Sequence, residues 1–314
     1  MPTNARAEAF APASMANVGV GFDILGLALC EPGDTVIVEP QAEPGVVIVD
    51  IEGDGGLLPK DPLKNTASVA ALAYLQMINA PHGVRMILKK DLPLGSGLGS
   101  SAASAVAAVV ATNALFGEPL AREALLPACL EGEALVSGYH ADNAGPSLLG
   151  GITLISSAEM SDIRRLPVPH NLHLAMVTPN VSVLTAEARA VLPAAVPLSQ
   201  MIAQTGAVAR LVDAIYRSDI QEMGHVMEQD GIIEPARAHL MPRLYEAREV
   251  AKQKGSYGLV ISGAGPTLCA VCDTAAIAAQ TAAALQALYD EAGIGAVSRA
   301  TRVDEQGARV LNVI

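Results

Sequence analysis

Leu92-Pro93-Leu94-Gly95-Ser96-Gly97-Leu98-Gly99-Ser100-Ser101-Ala102-Ala103 sets three glycines at alternate positions directly before two serines. Upstream, Val84 to Lys90 alternates apolar and polar residues as a strand does. Downstream, Ser104 to Phe116 is almost wholly Ala and Val, without Gly or Pro, and predicts a buried helix. The stretch therefore reads as strand, small-residue loop and helix. Glycine lets a ligand approach the main chain closely, and a helix N-terminus adds unpaired donors and partial positive charge. The group that fits such a loop is a phosphate. The pattern is not Gly-x-x-x-x-Gly-Lys-[Ser/Thr], nor the spacing of the dinucleotide fingerprint. The plainer alternative is a glycine-rich turn with Ser100 or Ser101 capping the helix.

At 314 residues the chain predicts two domains. Hydrophobic residues make up 51% and charged residues 17%, with no Trp and three Phe, so the core must be built from Ala, Val, Leu and Ile. The formal net charge of -12 argues against a nucleic-acid partner. A polyanionic ligand would then need a local cluster of donors and a metal ion. The four cysteines are Cys30, Cys129, Cys269 and Cys272. Cys269-x-x-Cys272 lies in an apolar run without a second pair, which predicts buried hydrophobes rather than a metal or redox site. Residues 1–8 lack the layout of a secretory leader. No uninterrupted apolar run of about 18 residues outside the Ala-rich helix suggests a membrane span. The expectation is a cytoplasmic protein without membrane or nucleic-acid partners.

In chain order, Ala9 to Val18 is a short apolar entry to Gly19-Val20-Gly21-Phe22-Asp23, where Asn17 and Asp23 either satisfy a turn or hold an amine or hydroxyl. Strands are expected at Asp34–Val38 and Val46–Glu52, and helices at Asn65–Asn79 and Ala121–Ser137, with Glu131 and Glu133 near the end of the latter. His140-Ala141-Asp142-Asn143, bounded by Gly138, Gly145, Pro146 and Gly150-Gly151, reads as a polar loop cluster that marks a site. After a strand at Ile152–Ser156, the segment Ser157–Pro169 is the expected domain boundary, drawn as 1–160 and 161–314. The second half predicts a strand at Leu172–Thr178, Thr185 as a helix cap with Arg189 one turn along, and helices at Ser199–Arg217, Ile220–Met227, Met241–Lys254 and Thr274–Ala292. A turn is expected at Glu234-Pro235-Ala236-Arg237, and strands at Tyr257–Ser262, Leu268–Cys272 and Ala296–Val303. This half fits an antiparallel sheet covered by helices.

Three motifs spread along the chain resemble the galactokinase, homoserine kinase, mevalonate kinase and phosphomevalonate kinase (GHMP) group. They are Pro12-Ala13-Ser14-x-Ala16-Asn17-x-Gly19-x-Gly21-Phe22-Asp23, then Pro93-x3-Gly97-Leu98-Gly99-Ser100-Ser101-Ala102, then Ser262-Gly263-Ala264-Gly265-Pro266-Thr267. Within that group, His140-Ala141-Asp142-Asn143 with Gly150-Gly151, and Thr185-Ala186-Glu187-Ala188-Arg189, resemble the homoserine kinases. The resemblance implies an α+β, two-domain GHMP kinase fold, with an N-terminal ribosomal-protein-S5-like, ATP-binding domain and a C-terminal ferredoxin-like α/β sandwich. It implies ATP-dependent phosphorylation of the L-homoserine side-chain hydroxyl in threonine biosynthesis, with Mg2+, by a homodimer. By the same resemblance the loop of Pro93, Leu94, Gly95, Ser96, Gly97, Leu98, Gly99, Ser100 and Ser101 wraps the triphosphate, and Asn65 approaches the adenine. Ser101 and Glu133, rather than Glu131, match metal positions. Asn17, Asp23, His140, Asp142, Asn143, Thr185, Arg189, Arg237 and Gly263 match the acceptor pocket. Asn143, Arg189 and Thr185 are the expected catalytic residues.

The charges agree with a zwitterionic acceptor. Asp23, with Asp142 as the second candidate, suits an ammonium. Arg189 and Arg237 suit a carboxylate. An amide such as Asn143 takes no proton at neutral pH, so the expectation is a reaction without a protein base, the proton passing to a phosphoryl oxygen. The competing readings are another kinase of the group, of mevalonate type, and a non-catalytic sensor that keeps the fold.

Overall fold

The structure, a computed structural model, describes residues 1–157, 159 and 162–314. Its first layer is a sheet of order β11-β1-β2-β4-β3, with β5 beside β2 and β6 beside β5. The strands are β1 (Ala7–Ala16), β2 (Leu25–Gln41), β3 (Val46–Glu52), β4 (Gly83–Lys89), β5 (Ile152–Ile155), β6 (Ile163–Leu166) and β11 (Arg309–Val313). Against it pack α1 (Thr66–Met77), α2 (Ser100–Leu115) and α4 (Ala141–Leu149), with α3 (Leu126–Glu133) packed on these helices. β3 and β4 run parallel across the α1 connection, while the other pairings are antiparallel. α2 is buried along nearly its whole length, which accounts for its Ala- and Val-rich sequence.

The second layer is an antiparallel sheet, β10-β7-β9-β8, of β7 (His173–Pro179), β8 (Gly258–Ile261), β9 (Leu268–Cys272) and β10 (Ala296–Thr301). The helices of this half are α5 (Thr185–Ala190), α6 (Leu198–Arg217), α7 (Ile220–Met227), α8 (Ile233–Arg237), α9 (Leu244–Gln253) and α10 (Ala275–Glu291). β9 is buried on both faces. Cys269 and Val271 join the core shared with the first layer and with α6 and α7, whereas Leu268, Ala270 and Cys272 join the core under α9 and α10. Alternation in a two-sided strand produces a continuous apolar run, so both cysteines there are free and buried as small hydrophobes. Among the described residues no helix is long and apolar enough to cross a membrane.

Several elements differ from expectation for identifiable reasons. Ala9 to Ala16 of the apolar entry belong to the full strand β1, and Asp34–Val38 lies within the 17-residue β2. Ala121–Ser137 is not one helix: a 3-10 turn at Arg122–Leu125 gives way to α3, with Pro127 in the first turn where a missing N–H costs nothing. The polar cluster after His140 is helix α4, not a loop, despite Gly145 and Pro146. Pro146 cannot donate back to the Asp142 carbonyl, which instead lies against Gly26, where a Cβ would come within 1.9 Å. Glu234–Arg237 falls in α8 rather than a turn, and the cap of α5 is Leu184 rather than Thr185. The 160/161 division lies outside the described residues, but β6 and β11, from beyond it, both pair into the first sheet. β6 and β11 had no counterpart in the sequence reading: β6 is a four-residue strand paired with the adjacent β5, and β11 is a short strand completed by the distant β1.

Candidate active site

The glycine stretch forms the connection from β4 into α2. The helix begins at Ser100, and its cap position is Gly99 at φ 64°, with no side-chain cap. The capping-serine alternative therefore does not hold. Gly97 lies at φ 78°, and a Cβ there would meet the Ser262 carbonyl at 2.4 Å. At Gly99 a Cβ would meet Ser14 Oγ at 2.1 Å and Asn143 Oδ1 at 2.8 Å. These two positions need glycine because they are where distant segments converge. Ser262 Oγ donates to the Gly97 carbonyl (2.7 Å), Ser14 N–H to the Leu98 carbonyl (3.1 Å) and Thr267 N–H to the Ser96 carbonyl (3.1 Å). The loop is thus held through its carbonyls. Its amides from residue 95 to 102 donate to nothing among the described residues, leaving a set of N–H donors at a helix N-terminus.

Under the loop sits a buried ion pair that the sequence reading missed. Lys90 Nζ pairs with Asp34 and donates to Ser100 Oγ (2.7 Å), the Ser100 carbonyl (3.0 Å) and Ser104 Oγ (2.7 Å). Asp34 also accepts from the Asp91 and Leu92 amides (3.1 and 3.2 Å) and from Ser104 Oγ (2.7 Å). The signal was available: Lys90 is in phase with buried Val84, Met86 and Leu88, and Asp34 with buried Val36 and Val38.

The loop walls a cleft of about 500 Å³. Apart from Pro93 and Leu98, every expected site residue lines it, from Asn17 and Asp23 through Asn65, Leu94 to Ser101, Glu133, His140, Asp142 and Asn143, to Thr185, Arg189, Arg237 and Gly263. Pro93 and Leu98 face a second cavity of about 690 Å³ on the other side of the loop, which Leu94 and Ser96 also touch.

Glu133, at the end of α3, is 1% exposed. Its Oε2 accepts from Ser137 Oγ at 3.2 Å, while Oε1 is buried without a partner. Burial pushes its carboxyl up, opposed by hydrogen bonds from Ser101 and Ser137 and by the charge of Lys90. A carboxylate oxygen lacking a donor, beside a serine hydroxyl and free amides, fits a hard divalent cation. Asn65 lines the same region, but its amide caps α1, accepting from Ala67 N–H (3.0 Å) and donating to the Pro59 carbonyl (3.1 Å).

At the other end, Asn17 and Asp23 adopt left-handed backbone (φ 72° and 60°) between β1 and β2. Asn17 accepts from Asp23 N–H (3.1 Å) and donates to the Gly263 carbonyl (3.0 Å), so both alternatives for these residues coincide: turn chemistry in a cleft wall. Asp23 is held in a fork by Arg189 (2.8 and 3.1 Å), with His140 Nδ1 at 3.5 Å. Burial lowers the His140 pKa, and Arg189 adds to this against the pull of Asp23. Arg237 is buried, with Nε donating to the Ala188 carbonyl (2.9 Å) and Nη1 to that of Gly263 (3.0 Å). Asp142, in the first turn of α4, is buried and pushed up to about 7, first by desolvation and then by the charge of Asp23. Asn143 Oδ1 accepts from Ser14 Oγ (2.9 Å). Of the two acids, Asp23 is engaged by an arginine, and Asp142 makes no ion pair among the described residues. Ser14, Phe22, Asp34 and Lys90 complete the site around the expected residues.

The chain matches the GHMP kinases N terminal domain over residues 65–151 and the GHMP kinases C terminal domain over residues 211–291. It is 41% identical over 291 residues to a homoserine kinase of Chloroherpeton thalassium, covering 89% of this chain and 91% of that one. A homoserine kinase of Arabidopsis thaliana is 39% identical over 320 residues, covering 100% of this chain and 86% of the relative. The crystal structure of homoserine kinase from Cytophaga hutchinsonii superposes with a TM-score of 0.94 at 41% identity, covering 99% of each chain. The L. major mevalonate kinase solved with R-mevalonate, 16% identical with a TM-score of 0.72 over 96% of this chain and 98% of that one, shares the fold. With its paired domains, its glycine loop and this degree of identity across nearly the whole chain, the protein belongs to the homoserine kinase family of the GHMP kinases.

Proposed function

We propose that this chain transfers the γ-phosphoryl group of ATP to the side-chain hydroxyl of L-homoserine, a step of threonine biosynthesis. One observation carries the reading: a single cleft has free backbone donors at one end and, at the other, acids and arginines suited to a zwitterion. The free amides of residues 95–102 bind and orient the triphosphate, because phosphoryl transfer is chiefly positioning and charge stabilisation. Glu133 Oε1 and the Ser101 hydroxyl would hold Mg2+, which when bound neutralises phosphate charge.

Asp142, unengaged and deprotonating near neutrality, receives the ammonium, and Arg237 with Arg189 receives the carboxylate. This puts the second candidate for the ammonium, Asp142, ahead of Asp23, since Asp23 serves to hold Arg189. Asn143, fixed by Ser14, orients the hydroxyl, and Thr185 faces the same space. With no base at Asn143, the hydroxyl proton passes to an oxygen of the transferred phosphoryl group.

ADP release with ATP and Mg2+ across L-homoserine, L-serine, L-threonine and mevalonate tests this. A strong preference for L-homoserine is expected. Turnover with mevalonate alone would reassign the acceptor, and tight ATP binding without turnover would make the chain a sensor.

A further inference from the structure

Two guanidiniums share one aromatic ring at the acceptor end of the cleft. The Arg189 Cζ lies over the Phe22 ring at 5.5 Å from its centroid, and the Arg237 Cζ at 5.1 Å. The two arginines come from separate helices, α5 and α8, and Phe22 from the loop joining β1 to β2. That loop is rigid: Gly21 N–H donates to the Asn17 carbonyl (2.9 Å), and the Gly21 carbonyl accepts from Ile24 and Leu25 (3.0 and 2.9 Å).

Bringing two like charges together is unfavourable. Burial first and the Arg189 charge second both push the Arg237 pKa down. Asp23 relieves part of this repulsion but takes two donors of Arg189, and a further acid between the arginines would occupy the donors that a substrate carboxylate needs. An aromatic face attracts a cation through its quadrupole and accepts none of its in-plane N–H bonds. The hydrogen-bond inventory matches that division. Arg237 uses Nε and Nη1 on backbone carbonyls, and its Nη2 donates to nothing among the described residues. Arg189 is held by Asp23 along one edge, with Nε unpartnered.

We propose that Phe22 is a positioning residue for acceptor selectivity: it holds Arg189 and Arg237 together without consuming their donors, so that an acceptor bearing a carboxylate is favoured over one lacking it. The inference rests on the homoserine reading and adds to it the residue that sets the carboxylate requirement. The same ring in a pocket for an uncharged acceptor would have no pair of cations to steady.

The experiment compares L-homoserine with 3-amino-1-propanol, which keeps the amine and hydroxyl and lacks the carboxylate, in the wild type and in Phe22→Leu, Phe22→Tyr and a chain carrying 3,4,5-trifluorophenylalanine at position 22. Fluorination keeps the ring's shape and weakens its attraction for cations, so it separates electrostatics from packing even where Phe22→Leu fails to fold. The expected result is a KM for L-homoserine raised about tenfold in Phe22→Leu and severalfold in the fluorinated chain, with Phe22→Tyr near wild type. The KM for ATP and the inhibition constant of 3-amino-1-propanol should stay within about twofold. An unchanged KM for L-homoserine in the fluorinated chain, or an equal loss for both amines, would overturn the role of Phe22 while leaving the acceptor assignment standing. A wild type that binds L-homoserine no better than 3-amino-1-propanol would overturn the carboxylate assignment itself.

Discussion

The two ends of the cleft are built from different materials. The loop end is main chain: amides of residues 95–102 left free, carbonyls tied to Ser14, Ser262 and Thr267 and so immobilised. The acceptor end is side chain: Asp23, Asp142, Arg189 and Arg237, carried on four separate segments and brought together in one cleft, the two arginines over Phe22. A backbone site binds any group of the right shape and charge, which suits the triphosphate common to all members of a kinase group. A side-chain site is rewritten by substitution, which suits an acceptor that differs between members. The comparison predicts that lesions at the loop end abolish turnover for every acceptor, whereas lesions at the acceptor end alter KM for one.

The largest effect is expected for Gly97→Ala. The new Cβ would meet the Ser262 carbonyl at 2.4 Å on a backbone at φ 78°, a strained position for any L side chain. Turnover should fall by about 10²–10³ with every acceptor, as it does when preorganised donors are displaced, while L-homoserine binding measured by calorimetry persists. Loss of homoserine binding in equal measure would show the two ends to be one unit.

Glu133→Gln comes next, with kcat down by about 10² and the magnesium requirement shifted to higher concentration. Its thermal melt gives an independent readout. Burial raises the folded-state pKa of this acid, so ionising Glu133 disfavours the fold once pH exceeds the unfolded-state value. The amide variant should therefore melt higher without metal at neutral pH and gain less from added Mg2+ than the wild type. A lower melting temperature and undiminished stabilisation by Mg2+ would count against Glu133 as a metal ligand.

Arg237→Met should raise the KM for L-homoserine by about 10² while leaving ATP affinity in place, the cost of removing one partner from a buried charged contact. The smallest effect concerns pH. Asp142 titrates near 7, so below that pH an incoming ammonium must displace a proton. Homoserine affinity should weaken by up to about tenfold per pH unit below 7 and level off above it. Titration calorimetry in buffers of different ionisation enthalpy should detect a proton released on binding at pH 6 and little release at pH 8. Asp142→Asn should flatten that profile and raise KM. A fall in kcat of about 10² or more at unchanged KM would instead make Asp142 the proton acceptor.

The contrast between the two ends also governs what could be read in advance. Gly95, Gly97, Gly99 and the serines are contiguous, and their small size and backbone freedom are properties of the residues themselves. So are the small, mostly apolar residues of α2, the uniform apolarity of β9 and the in-phase positions of Lys90 and Asp34. Those features are determined by sequence because they depend on local backbone geometry and on which face of an element is buried.

Other features were decided only by tertiary structure. α4 forms through Gly145 and Pro146 because its Asp142 carbonyl finds room against Gly26. β11 exists because the distant strand β1 completes it. The division of labour between Asp23 and Asp142 follows from the fork that Arg189 makes with Asp23. The sharing of Phe22 by two arginines is equally invisible before α5 and α8 are placed. In each case the outcome depends on a partner far away in the chain, and electrostatics and packing act through space rather than along sequence.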